Sequence, residues 1–288
     1  YKKDGTNVLA MSYYPKEGNP LWERYSTPSI IHTIEQYNKY SFDYPYPIAI
    51  SVNGPVGGME YPMISFNGPR PTKDKKTGEL TYSQRTKYGL IAVIIHEVGH
   101  NYFPMIVNSD ERQWTWMDEG LNTFLDKETM RLRYPALFSG TRGTPLGITA
   151  FMKGDKSQMR PIMSMSDNIR QEEFGPNAYH KPSAALTVLR ETVMGNELFD
   201  KAFKEYAQRW AFKHPQPADF FRTMEDASAV DLDWFWRAWF YDIEPVDVSV
   251  DSVKAYTFIN NKTVPVKMDS FTVYPKGKEF ESVSKIRN

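Results

Sequence analysis

No cysteine occurs in the 288 residues, which excludes a disulfide framework and any thiolate metal site and leaves His, Asp and Glu as the strong metal ligands. Charge of one sign is not in excess either. Thirty-five basic residues stand against 35 acidic ones, so no overall field draws the chain to nucleic acid or to an anionic membrane, and partner choice must come from local sites. No run of about 18 apolar residues is present, so no transmembrane segment is expected in this chain. The opening YKKDGTNVLA lacks an initiator Met and the apolar core of a signal peptide, and the chain reads as an excised or processed piece. Localisation and oligomeric state are not written in it.

What is there suits a globular protein. The hydrophobic fraction is 41%, and the length allows one large domain with a smaller appendage. STPSIIHTIEQYNKYSF reads as a packing helix with Thr27 as N-cap and Pro28 in its first turn. PYPIAISVNGPVGGMEYPMISFNG is β-branched, aromatic and punctuated by Gly and Pro, which predicts short strands with an exposed or bulged edge near Gly57 and Gly58. Residues 70–80 read as a solvated loop around a Thr77-Gly78 turn. From Ser83 to Phe103 the pattern is helical and apolar on nearly all sides, so that helix belongs in the interior, ended or kinked by Pro104. A second helix is expected over Trp116 to Arg133, and others near 181–195, 197–212, 216–227 and 231–240. Five aromatics between Trp234 and Phe240 read as packing. After residue 246 alternation indicates strands. The expected division is a domain over 1–246 and a β-rich segment over 247–288, the start of a truncated domain.

Within the buried helix, IIHEVGHNY places two histidines four apart. On a helix such positions share a face, so His96 and His100 direct their imidazoles at one point, while Glu97 sits about 100° round the axis. They are either a metal site or two polar residues that happen to share a buried helix. Burying two imidazoles and a carboxylate among Ile and Val is costly without partners, and a divalent cation is such a partner. A tetrahedral zinc needs a third protein ligand. In WTWMDEGLNTFLDKE, Glu119 follows His100 after eighteen residues, enough for one helix to end and a second to return alongside. Glu97 is then placed to act on a metal-activated water without being a ligand.

HEVGH, eighteen residues and DEG together resemble the HExxH-x18-E signature of the gluzincin metallopeptidases, in particular the M1 family of aminopeptidases. GGMEY, upstream at residues 57–61, is similar to that family's GxMEN motif, and NAYHKPSAALTVLR to its Y-x-K-G helix start. The resemblance extends over about residues 45–245, without the family's N-terminal β domain, which normally contributes to the amino-end pocket. Tyr61 stands where the family has Asn, and Pro182 replaces the Gly of Y-x-K-G, a residue that suits a helix first turn.

The resemblance implies a thermolysin-like α+β fold, mainly helical with a small mixed sheet, and one Zn2+ ion on His96, His100 and Glu119. It implies Glu97 as acid/base and Tyr179 as donor to the oxyanion. Gly57, Gly58, Met59 and Glu60 would bind substrate, with Glu60 holding the free α-ammonium group of a peptide. His180, beside Tyr179, is a further pocket candidate. The expected activity is removal of N-terminal amino acids from peptides, with no nucleic-acid partner. Two other readings stay open: an endopeptidase on the same scaffold, in which Glu60 is only structural, and a zinc-retaining peptide-binding module without turnover.

Overall fold

Strand β1 (Leu9–Tyr13) leads into helix α1 (Leu21–Tyr40) in a computed structural model that describes residues 5, 7–138, 144–244, 256–259 and 262–265. Helix α1 starts well before the expected Thr27 cap and carries Pro28 in its interior. The Thr27 hydroxyl donates to Ser12 Oγ at 3.0 Å instead of capping a helix. Tertiary packing decides this. Leu21 and Trp22 are fully buried, and roughly 1.5–3 kcal/mol from each offsets the cost of an interior proline, about 3 kcal/mol.

Strands β2 (Ile48–Asn53), β3 (Gly58–Tyr61) and β4 (Ile64–Asn67) complete a mixed sheet in the order β1-β2-β4-β3. Strands β1, β2 and β4 run parallel, and β3 returns antiparallel on the edge with Glu60 opposite Ser65. Alternation along β2 buries Ala49, Ser51 and Asn53. Polar groups on this face satisfy one another: Asn67 Nδ2 donates to Ser51 Oγ at 2.8 Å, and Asn53 Nδ2 donates to the Asn67 carbonyl at 2.9 Å. The expected loop at 70–80 is a small hairpin, β5 (Thr72–Lys73) with β6 (Leu80–Thr81). Asp74 Oδ1 accepts from the Lys76 and Thr77 N–H groups, and Gly78 takes φ +73° to close the turn.

Helix α2 (Gln84–Gly99) begins at Ser83, whose Oγ accepts from the Thr86 N–H at 3.0 Å. It stops at Gly99, short of the expected Phe103, and turns carry the chain onward. A π-helical turn (Trp116–Gly120) then enters helix α3 (Leu121–Arg133). Helices α1, α2 and α3 come close together at Gly99, where an added Cβ would lie 2.3 Å from both Tyr37 Oη and Asn122 Oδ1. Tyr37 Oη donates to Asn122 Oδ1 at 2.8 Å, and Asn122 Nδ2 to the His96 carbonyl at 2.8 Å. The lack of a side chain at Gly99 therefore fixes how near α3 lies to the two histidines.

Short helices α4 (Thr149–Met152) and α5 (Gln171–Phe174) precede a second π-helical turn (Gly175–His180) and helix α6 (Lys181–Val188). Helices α7 (Asn196–Trp210), α8 (Pro217–Ser228) and α9 (Asp233–Phe240) follow. From the aromatic run on α9, Phe235, Trp236 and Phe240 are buried while Trp234 faces solvent. Trp236 stacks on Phe221, and Phe240 meets Trp116 edge to face. Among the described residues no helix is long and apolar enough to cross a membrane.

The chain divides into two compact units, Tyr1–Pro245 and Val246–Asn288. In the second, β7 (Tyr256–Ile259) pairs antiparallel with β8 (Lys262–Pro265). The remaining strands expected over 247–288 lie outside the described residues.

Candidate metal centre and active site

His96, in the last turn of α2, and His100, its C-cap, meet Glu119 from the π-helical turn. The two Nε2 atoms are 3.1 Å apart, and Glu119 Oε2 lies 3.1 Å from His96 Nε2 and 3.3 Å from His100 Nε2. Four ligands on a tetrahedral ion with bonds of about 2.0–2.1 Å are separated by roughly 3.3–3.4 Å, so this triangle has the edge length such an ion requires. The donor chemistry agrees. His96 Nδ1 donates to Asp126 Oδ2 at 2.7 Å, and His100 Nδ1 donates to the Phe103 carbonyl at 2.9 Å. With each Nδ1 donating away from the triangle, both Nε2 atoms and the carboxylate oxygen are turned toward one point, where ring protons or a divalent ion can satisfy them.

Electrostatics say the same. Burial disfavours a proton on His96, but the Asp126 and Glu119 carboxylates outweigh it and hold its pKa up at about 9. For His100 burial is again outweighed, by Asp118 and Glu119, and its pKa rises well above the ordinary value. Burial alone would raise the Glu119 pKa; hydrogen bonds from His100 and His96 overcome it and hold the carboxyl below the usual range. The pocket therefore gathers positive charge between three donors, which fits a divalent ion.

Glu97 projects from α2 beside this triangle. Burial pushes its pKa up to about 7, against the opposing pull of His96 and His100. It is 6% exposed, and its Oε2 has no hydrogen-bond partner. A buried carboxyl with one free oxygen is in the state a general base needs. Edge strand β3 lies directly over it: a Cβ on Gly58 would fall 2.1 Å from Glu97 Oε1 and 2.8 Å from Val93 Cγ2. Only glycine allows that approach.

Tyr179 reaches the triangle from the π-helical turn before α6, its Oη donating to Glu119 Oε1 at 2.5 Å. Its pKa is raised by burial first and by the Glu119 carboxylate second, so the hydroxyl keeps its proton. Pro182 fills the space under the turn that holds Glu119, where a Cβ on Gly120 would lie 2.6 Å from Pro182 Cγ. Glu60 offers a carboxylate oxygen within 4.8 Å of ligand atoms on Glu97 and His100. Met59 and Glu60 line a cavity of about 660 Å³. Gly57 lines neither this cavity nor a smaller one of about 350 Å³, and its carbonyl accepts from the Gly68 N–H. His180 is exposed on the flank of Tyr179, with ring centroids 6.4 Å apart.

Three supporting residues were not singled out from sequence. Asp126 stands seven residues after Glu119, two helical turns along the same face, a spacing legible once Glu119 is chosen. Asp118 Oδ1 lies 2.9 Å from His100 Nδ1 as an ion-pair contact, and burial pushes its carboxyl up to about 7. Asn101 Oδ1 accepts from the Met63 N–H at 2.8 Å and so pins the tip of the β3–β4 hairpin to the end of α2. No spacing rule points to Asn101, because its partner is a backbone group distant in sequence.

The fold and this helix-borne His-Glu-His-Glu arrangement match a known class. The model of the peptidase family M1 domain matches residues 22–239, and the chain belongs to that family. The match takes in helix α1 as well as the motifs from residue 45 onward.

Among curated relatives, aminopeptidase M1-A of Oryza sativa subsp. japonica is 22% identical over 83% of this chain and 27% of its own length. Endoplasmic reticulum aminopeptidase 2 of Homo sapiens is 24% identical over 76% and 23%. Probable aminopeptidase 1 of Sulfurisphaera tokodaii is 24% identical over 86% and 32%. The chain thus spans a quarter to a third of the length of these relatives. The crystal structure of an M1 zinc metallopeptidase from Deinococcus radiodurans superposes with a TM-score of 0.59 at 15% identity, covering 82% of this chain and 47% of that one. That likeness bears on the fold.

Proposed function

We propose that residues 1–246 form the catalytic domain of a zinc-dependent aminopeptidase and that 247–288 is a separate β-rich segment. The observation that carries the reading is Glu97, a buried carboxylate with a free oxygen, set between a three-donor triangle and an open edge strand that bears Glu60. The relatives named as aminopeptidases and the Deinococcus protein, an M1 zinc metallopeptidase, support it.

His96, His100 and Glu119 would hold the zinc, which supplies Lewis acidity toward water and the peptide carbonyl. Glu97 takes a proton from the attacking water at its free Oε2 and passes it to the leaving amine as the C–N bond breaks. Tyr179, protonated and already within hydrogen-bond reach of Glu119, can turn its Oη to the carbonyl oxygen as that oxygen gains charge. Glu60 pairs with the peptide's free ammonium group, which places the first peptide bond at the triangle and limits removal to one residue at a time.

The test combines elemental analysis with two substrates. The expected result is one zinc per chain, hydrolysis of aminoacyl arylamides, and loss of most of the rate when the amine is acetylated. Equal rates on free and blocked peptides would leave a zinc peptidase that cuts internally, and full activity after complete zinc removal would overturn the reading.

A further inference from the structure

Glu60 and Glu111 are the two residues shared by the linings of both cavities, so they stand at the divide between the smaller space beside Glu119 and the larger one beyond. Each offers a carboxylate oxygen, and these lie within 4.8 Å of one another and of one on Asp118. Asp118 is buried, and its Oδ1, although 2.9 Å from His100 Nδ1, has no hydrogen-bond partner among the described residues. Neighbouring Asp110 is engaged, its Oδ2 accepting from Gln113 Nε2 at 2.6 Å. The side chains of Glu60 and Glu111, by contrast, make no hydrogen bond or ion pair among the described residues. The backbone under Glu111 is fixed, its carbonyl accepting from Thr115 Oγ1 at 3.0 Å and Ser166 Oγ at 3.1 Å. Beside this pair Glu97, nine-tenths buried and with an unpartnered Oε2, has its carboxylate within 4.8 Å of that of Glu60.

Two like charges held this close on a fixed frame call for a cation between them. A single ammonium group satisfies both: acceptors about 2.8 Å from one tetrahedral nitrogen are separated by roughly 4.6 Å. A peptide whose scissile carbonyl sits at the triangle brings its ammonium group to this divide, one residue away. We infer that Glu111 is a second anchor for the free amino end of the peptide, shared with Glu60; the inference rests on the aminopeptidase reading. Glu111 is a substrate-anchoring residue. It takes no part in proton transfer.

The test uses the full-length protein with Glu111→Gln, Glu111→Asp and Glu60→Gln. The readouts are KM and kcat on an aminoacyl arylamide, and calorimetric binding of leucinamide and N-acetyl-leucinamide to metal-free protein, where turnover plays no part. Glu111→Gln is expected to raise both KM and the leucinamide Kd about fivefold, as for an ion pair near solvent. It should leave kcat within about twofold and the weak binding of the acetylated form unchanged, and Glu111→Asp should recover part of the loss. If Glu111→Gln leaves KM and Kd unchanged while Glu60→Gln weakens both, Glu111 is no anchor and the aminopeptidase reading stands. If the parent protein binds and cleaves free and acetylated ligands alike, the aminopeptidase reading falls and this inference falls with it.

Discussion

At the metal triangle each donor is held from behind, His96 by Asp126, His100 by the Phe103 carbonyl with Asp118 beside it, and Glu119 by the Tyr179 hydroxyl. On the side proposed to take the peptide's amino end, Glu60 and Glu111 line open space with no hydrogen-bond or ion-pair partner among the described residues. The first region is ordered in advance, so binding an ion spends little on arranging ligands. The second sets carboxylates side by side, and on the proposed reading a cationic substrate end would neutralise them. Metal binding and substrate selection should therefore respond differently to mutation: sharply and through geometry at the triangle, modestly and through charge at the amine end.

Glu119→Ala should break the comparison most severely. Two imidazoles alone do not complete a zinc site, and the expected outcome is loss of both metal and activity. Unchanged zinc by elemental analysis would show that another carboxylate is the third ligand. Next comes Glu97→Gln, which should retain the metal yet lower turnover by about 10²–10⁴. Full activity in that variant would remove Glu97 from the reaction. Asp126→Asn keeps a hydrogen-bond acceptor but discards the charge behind His96, so zinc affinity measured by chelator competition should fall about 10- to 100-fold. If affinity holds, the ordering of His96 comes from packing.

How much of this was legible in sequence divides along the same line. His96, Glu97, His100 and Glu119 are tied by helical spacing and one loop length, and such local geometry survives in sequence. The approximate spans of α2, α3 and α6 to α9 were legible for the same reason, whereas α4 and α5, four residues each, are too short for helical periodicity to register. The start of α1 was not, because Thr27-Pro28 carries a strong local capping signal that burial of Leu21 and Trp22 overrides. Residues 70–80 looked like a loop because each strand of that hairpin has two residues, too few for alternation to register. Glu111 carries no spacing signal: it approaches Glu60 only after β3 and the turns beyond Phe103 have folded across each other.

The smallest expected effect on stability, and the sharpest on position, belongs to Gly58→Ala. An added Cβ would meet Glu97 Oε1 at 2.1 Å and Val93 Cγ2 at 2.8 Å. The nearer atom ends a flexible side chain, and β3 is an edge strand bonded to β4 on one side only. Rotation of the carboxylate and a small outward shift of the strand therefore absorb the methyl group. Folding should cost less than about 1 kcal/mol, and removing a glycine from the unfolded chain returns part of that. Displacing the Glu97 oxygen is another matter, since proton transfer requires hydrogen-bond reach. Turnover should drop about tenfold or more, with a melting temperature within a few degrees of the parent and zinc content unchanged. A variant with normal turnover would mean that Glu97 works from a different rotamer, and the close fit of edge strand to helix would then have no bearing on the reaction.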